Sequence, residues 1–104
     1  MGSENHTKII KEDDNTYDIV KVSNSTALAS IKFQNGATQE TEINGIFMED
    51  LLHIVKDRLE GFNQGKWSCK ENSMAITKIE EALLWLNKRT ADRKESGKYG
   101  SSEV

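Results

Sequence analysis

Arg89 and Arg93 stand four residues apart, with Lys88 and Lys94 beside them. On a helix, side chains at that spacing leave from one side, about one turn apart. A pair of guanidinium forks makes bidentate contacts with phosphate oxygens. Four cations against the single carboxylate of Asp92 leave a local charge of +3 over residues 88–94. A second reading needs no ligand, because cations near a helix C-terminus also complement its dipole. Composition alone favours that second reading.

Other groups are poorer in chemistry. The run Gly61–Trp67 (GFNQGKW) has glycines and a lysine, but only three residues separate Gly61 from Gly65. It follows a helical pattern rather than a strand, and Trp67 stands where a P-loop has a hydroxyl residue, so it is not a P-loop. Phe62 and Trp67 are expected either to stack on a base or, as aromatics more often do, to cap a core. Glu49, His53 and Asp57 recur at metal-ligand spacing, yet that face lies away from the apolar stripe and reads as solvated. Cys69, with Lys70 beside it, is the only cysteine. It has no histidine placed to activate it, so it reads as a structural thiol, and a zinc-type Cys/His set is excluded. No Ser-His-Asp pattern or dinucleotide fingerprint is present, so the chain is thinly supplied as an enzyme and no cofactor is implied.

These residues must be positioned by two different kinds of structure. Before Asn44, short β-favouring runs are broken by turn residues. Tyr17–Val22 and Ala27–Gln34 read as strands, and Thr7–Lys11 as another. Asn35-Gly36 is a hairpin signal, since both residues tolerate positive φ. It predicts that Ala37–Ile43 (ATQETEI) returns as a polar edge strand. The expected result is a small antiparallel sheet with one apolar face.

After Asn44 the period becomes helical. Met48, Leu51, Leu52, Val55, Leu59 and Phe62 form one stripe, predicting a helix over Ile46–Phe62. Glycine in Gly61–Gly65 ends it, ready for the left-handed conformation of a helix C-terminus. Ser68-Cys69-Lys70-Glu71 matches a capping box. It predicts a second helix from near Cys69 to about Lys94, with Ala75 or Ile76, Ile79, Ala82, Leu83 and Leu86 as its stripe. A short connection makes the two helices antiparallel.

The fold class expected is therefore α+β: an N-terminal antiparallel sheet over residues 7–44, then an antiparallel two-helix hairpin over 45–96. Residues 1–6 read as a disordered or tag-derived tail and 97–104 as a mobile one, with the whole of 1–104 a single domain. Its 104 residues are only 36% hydrophobic. A monomer would have a thin core, and oligomerisation is the expected remedy. A net charge of −3 argues against a protein that coats DNA or RNA. One cysteine, and no signal-like or membrane-length apolar run, imply a reduced cytosolic setting.

Leu51–Leu59 (LLHIVKDRL), Trp67–Asn72 (WSCKEN) and Ile79–Arg93 (IEEALLWLNKRTADR) together resemble the helical hairpin shared by phage Thoeris anti-defence and anti-CBASS proteins. The resemblance covers Asn44 to Gly97, and the β-rich half before it is similar to the Thoeris branch of signal sponges. It implies a non-enzymatic protein in the cytoplasm of an infected bacterial host. Such a protein binds a cyclic ADP-ribose isomer, and in some members cyclic di- or trinucleotides at separate sites. It further implies a homodimer or hexamer with the signal held between protomers. Carried over by position, Phe62 would stack on the adenine and Asn72 would hydrogen-bond the ligand's polar edges. Arg89 and Arg93 would hold the pyrophosphate, and Lys70 would serve a second nucleotide site. Gly97-Lys98-Tyr99-Gly100 fits the family's Gly-x-x-Gly run only loosely, so no role for Tyr99 or Ser101 carries over.

At ~1.5 Å per residue, Asn72 and Arg89 lie about 25 Å apart on one helix. One small ligand touching all four residues therefore requires two chains. Two rival functions remain at this level. A protein-binding hairpin adaptor would have no small-molecule ligand. A hydrolase would need Glu80, Glu81 or Asp92 as its base.

Overall fold

A computed structural model describes residues 6–95 of the chain. Three strands, β1 (Thr7–Lys11), β2 (Thr16–Lys21) and β3 (Ala27–Lys32), form an antiparallel sheet in the order β1-β2-β3. Two helices follow, α1 (Met48–Asn63) and α2 (Lys70–Glu95). The α+β order read from the sequence is the order found.

The sheet's apolar face comes from cross-strand rows. Ile9 pairs with Ile19, which pairs with Ala29; Lys11 pairs with Tyr17, which pairs with Ile31. Tyr17 meets Phe33 edge to face at 5.8 Å between ring centres. Ile19 lies opposite Ala29 and Val20 opposite Ala27, so Leu28 is the extra residue of a bulge.

Residues 37–43 do not return as a strand. Only Gly36 has positive φ (95°) at the Asn35-Gly36 pair, so the turn that would reverse the chain does not form. Instead the Ala37 carbonyl accepts from the Glu40 and Thr41 amides (3.0 and 2.9 Å) and from the Thr41 hydroxyl (2.8 Å). Two side chains clasp the loop. Asn44 accepts from the Asn35 amide and donates to the Asn35 carbonyl, both at 2.8 Å. Gln34 accepts from the Asn44 amide (2.9 Å) and donates to the Glu42 carbonyl (3.1 Å). Polar residues that looked like an edge strand are in fact a loop closed by amide side chains.

The chain then touches the end of β3 once more. The Ile46 amide donates to Lys32 O and the Gln34 amide to Ile46 O, each at 2.8 Å. That contact requires Gly45, where a Cβ would lie 2.5–2.6 Å from backbone atoms of Lys32 and Phe33. It also explains why α1 starts at Met48 rather than Ile46, which is already committed to the sheet. Phe47 is extended and donates its amide to the Asp50 carboxylate (2.9 Å). Glu49 and Asp50 complement the dipole of the first turn.

Two helix ends differ from expectation. Gln64 closes α1 in the right-handed region, and neither Gly61 nor Gly65 takes positive φ. The cap of α2 is Cys69, not Ser68: the Asn72 amide donates to Cys69 Sγ at 3.4 Å. The cap is therefore one residue later than the Ser-x-x-Glu box implied.

Asn63 and Ser73 (2.9 Å) and then Lys56 and Glu80 (3.8 Å) meet across the hairpin, which sets the helices antiparallel. Among the described residues only Val20 and Leu83 are buried. Among the described residues no Cα of a strand lies within 8 Å of a Cα of either helix. The Cα radius of gyration is 16.7 Å, against about 13 Å for a compact chain of 100 residues. Leu84 and Trp85 are 69% and 64% exposed, so much of the hairpin's apolar surface is uncovered within one chain. The tails predicted for residues 1–6 and 97–104, and with them Tyr99 and Ser101, lie outside the described residues except for His6.

Candidate functional site

The turn of the hairpin carries a shallow concavity of about 370 Å³, lined by Asp57, Arg58, Gly61, Phe62, Gly65 and Trp67. The last turns of α1 supply the first four residues and the connection supplies the other two. Arg58 precedes Phe62 by one helical turn, and its guanidinium carbon lies 4.4 Å from the ring centre. Lys66 Nζ lies 5.2 Å from the Trp67 ring centre. Cation–π pairs of this kind hold an exposed ring without burying it. Trp67 is 64% exposed, so it does not cap the core, and Phe62 is also exposed.

The connection is held by side chains rather than by packing. Asn63 accepts from the Cys69 amide (3.1 Å) and donates to the Ser73 hydroxyl (2.9 Å). Asn72 donates its amide nitrogen to the Trp67 carbonyl at 3.0 Å. Its Oδ1 makes no hydrogen bond with the described residues, which leaves an acceptor at this end of the hairpin. Phe62 and Asn72 are thus brought to the same end, with Trp67 between them in the chain. Lys70, the first residue of α2, is exposed nearby.

Arg89 and Arg93 lie at the opposite end, near the C-terminus of α2. Arg89 is exposed and Arg93 half-buried. Asp92 is engaged by Lys88 at 2.7 Å. No carboxylate among the described residues lies within ion-pair distance of Arg89. The Lys56–Glu80 bridge marks one side of the hairpin. At ~100° per residue, Phe62 is about 120° round α1 from Lys56, and Arg89 and Arg93 are about 180° and 140° round α2 from Glu80. All three turn away from the bridge, onto a common flank that also carries Val55 and Leu86.

The carboxylates a hydrolase would need are each met by a lysine: Glu80 by Lys56 and Glu81 by Lys78 (both 3.8 Å), and Asp92 by Lys88. Among the described residues no three His, Cys, Asp or Glu side chains converge as a metal site, Glu49, His53 and Asp57 included. Likewise no helix there is long and apolar enough to cross a membrane. Cys69 is a free thiol serving as a helix cap.

The sequence pointed to Phe62 and Asn72, which the structure brings to one end of the hairpin, but not to Arg58 and Asn63, which hold that end together. The Arg58–Phe62 spacing of one turn was a usable signal. The role of Asn63 had none, because its partners lie across the connection.

Residues 26–91 match the family described as Acb2/Tad1, hairpin domain. A curated relative, Thoeris anti-defense 1 of Bacillus phage SBSphiJ7, is 50% identical over 76 residues. That alignment covers 73% of this chain, and the chain spans about half (54%) of the relative's length.

Proposed function

The chain belongs to the Acb2/Tad1 hairpin family, and from that premise we propose that it is a phage anti-defence sponge. It binds a cyclic ADP-ribose isomer, the Thoeris alarm signal, in the cytoplasm of the infected host and withholds it without cleaving it. One observation carries this reading. An exposed aromatic concavity and an arginine pair occupy the same flank of one hairpin, at opposite ends of it.

Two copies paired antiparallel across that flank bring the Phe62–Asn72 end of one beside the Arg89–Arg93 end of the other. A two-fold axis makes two such junctions. In each, Phe62 stacks on the adenine, Asn72 Oδ1 accepts from the ligand's polar edge, and the arginines hold the pyrophosphate. Val55, 46% exposed on that flank, supports the pairing, because a lone chain leaves it in water. Each charge-assisted hydrogen bond contributes ~1.5–3 kcal/mol. Three or four, with one stacked base, reach nanomolar affinity, ~12 kcal/mol. Sequestration requires that tightness. Lys70, outside this set, is assigned to a second site for cyclic di- or trinucleotides, and assembly to a hexamer would build on the same dimer.

The exposure of Leu84 and Trp85 favours a second reading, a hairpin that docks on another protein. One experiment separates the two. The protein is incubated with the cyclic ADP-ribose signal, separated from the free pool, heat-denatured, and the released material analysed. Signal depleted and then recovered intact supports the sponge. Signal recovered altered supports a hydrolase, and signal never depleted supports the protein-docking hairpin.

A further inference from the structure

Gly61 stands inside α1, in its last turn but not at its end. Glycine in a helix interior is less favourable than alanine. Such a glycine is usually explained by a left-handed backbone or by a close neighbour. Neither holds here: its φ is not positive, and a Cβ built on it meets no atom within 4 Å. Gly45 makes the contrast, since a Cβ there strikes backbone at 2.5 Å.

Gly61 does line the concavity, between Arg58 and Phe62 on its own helix and Gly65 and Trp67 in the connection. A methyl group on it would stand in open space belonging to that concavity. At about 370 Å³ the space is near the small end of ligand pockets. Arg58 occupies one face of Phe62, which restricts the faces on which a flat ring can stack.

We infer that Gly61 is a specificity-determining position: it is bare so that the nucleobase can lie against α1 beside Phe62. The inference rests on the sponge reading and adds that the base half of the ligand fills this concavity. Its chemistry is that of a purine slot, with aromatic rings and a backbone surface as walls. Asp57 and Arg58 leave the lining without net charge, whereas Arg89 and Arg93 bring two positive charges to the other end of the ligand.

The test compares wild type with Gly61→Ala and Gly61→Leu, titrated with the cyclic ADP-ribose signal. Melting temperature and oligomeric state are measured in parallel. Gly61→Ala is expected to raise Tm by about 2–4 °C through helix propensity while weakening binding roughly 10-fold. Gly61→Leu weakens it further, with assembly unchanged in both. Binding equal to wild type in both variants overturns the inference and leaves the sponge reading standing. Weakened binding accompanied by loss of assembly overturns it too, placing Gly61 at a chain–chain contact instead. Absence of binding by the wild type overturns the sponge reading and this inference with it.

Discussion

The sheet half and the hairpin half solve opposite problems. In residues 7–47 polar groups find partners within the chain: Asn44 and Gln34 close one loop, Asp13 and Asn24 close others, and Gly45 lets the backbone return to β3. In residues 48–95 the two helices meet along one seam and leave Ile54, Leu84, Trp85 and Trp67 in water. An acceptor on Asn72 and the guanidinium of Arg89 are also left without partners among the described residues. Both halves leave apolar groups open, Leu28 and Ile43 in the sheet half among them. In the hairpin, however, the open groups include the aromatic rings of the concavity and the Arg89 guanidinium, the groups the proposed ligand would need. Substitutions in the hairpin should therefore damage binding more than stability, and substitutions in the sheet the reverse.

The largest effect is expected from replacing both Arg89 and Arg93 with glutamine. Losing two charge-assisted phosphate contacts at ~1.5–3 kcal/mol each weakens signal binding at least 100-fold. Tm should stay within a degree or two, and calorimetric titration with a melting curve checks both. Phe62→Ala is next. A stacked base contributes ~1–3 kcal/mol, so binding should fall about 10-fold or more, again with the fold intact.

Gly45→Ala tests the other side. A Cβ forced against the Lys32 and Phe33 backbone should cost about 1–3 kcal/mol of stability, read as a lower denaturation midpoint. Any signal-binding loss should be smaller than that of Phe62→Ala. If Gly45→Ala instead abolished binding while leaving stability unchanged, the division between scaffold and site would be wrong.

The smallest effect concerns Asp13. The Asn15 amide and the Thr16 side chain hold its carboxyl below the ordinary carboxylate range. A carboxyl with a depressed folded-state pKa contributes stability above its unfolded value, near ~4, and loses it as pH falls through the lower folded value. Asp13→Asn should flatten the fall of Tm below about pH 4, with no change in binding near neutrality. The group is fully exposed, so the change will be slight.

The helices were legible because their apolar residues keep a 3.6-residue period over several turns. Residues 37–43 were misread because Asn35-Gly36 signals a hairpin whatever follows it, and the polar run after it carries no apolar period to oppose that signal. What decides the matter is Asn44 reaching back nine residues to Asn35. The α2 cap was missed by one residue because sulfur is seldom counted as a cap acceptor. Of the site, the aromatic loop and the arginine pair are local patterns and could be read directly. Arg58 over Phe62 was signalled by their one-turn spacing, while Asn63 bonding across the connection needed coordinates. The proposed junction between two chains rests on the mismatch between a ~25 Å spacing along α2 and the size of one ligand.

That junction is the central claim, and subunit mixing tests it most directly. Phe62→Ala protein and Arg89→Gln/Arg93→Gln protein are each expected to bind the signal poorly alone. Co-refolded at equal amounts, half the dimers pair one of each, and each mixed dimer regains one junction with intact Phe62 facing intact arginines. Tight binding should return at roughly a quarter of the wild-type site number, as an isologous two-fold pair requires. If the mixture binds no better than either variant alone, the site does not join two chains and the account fails.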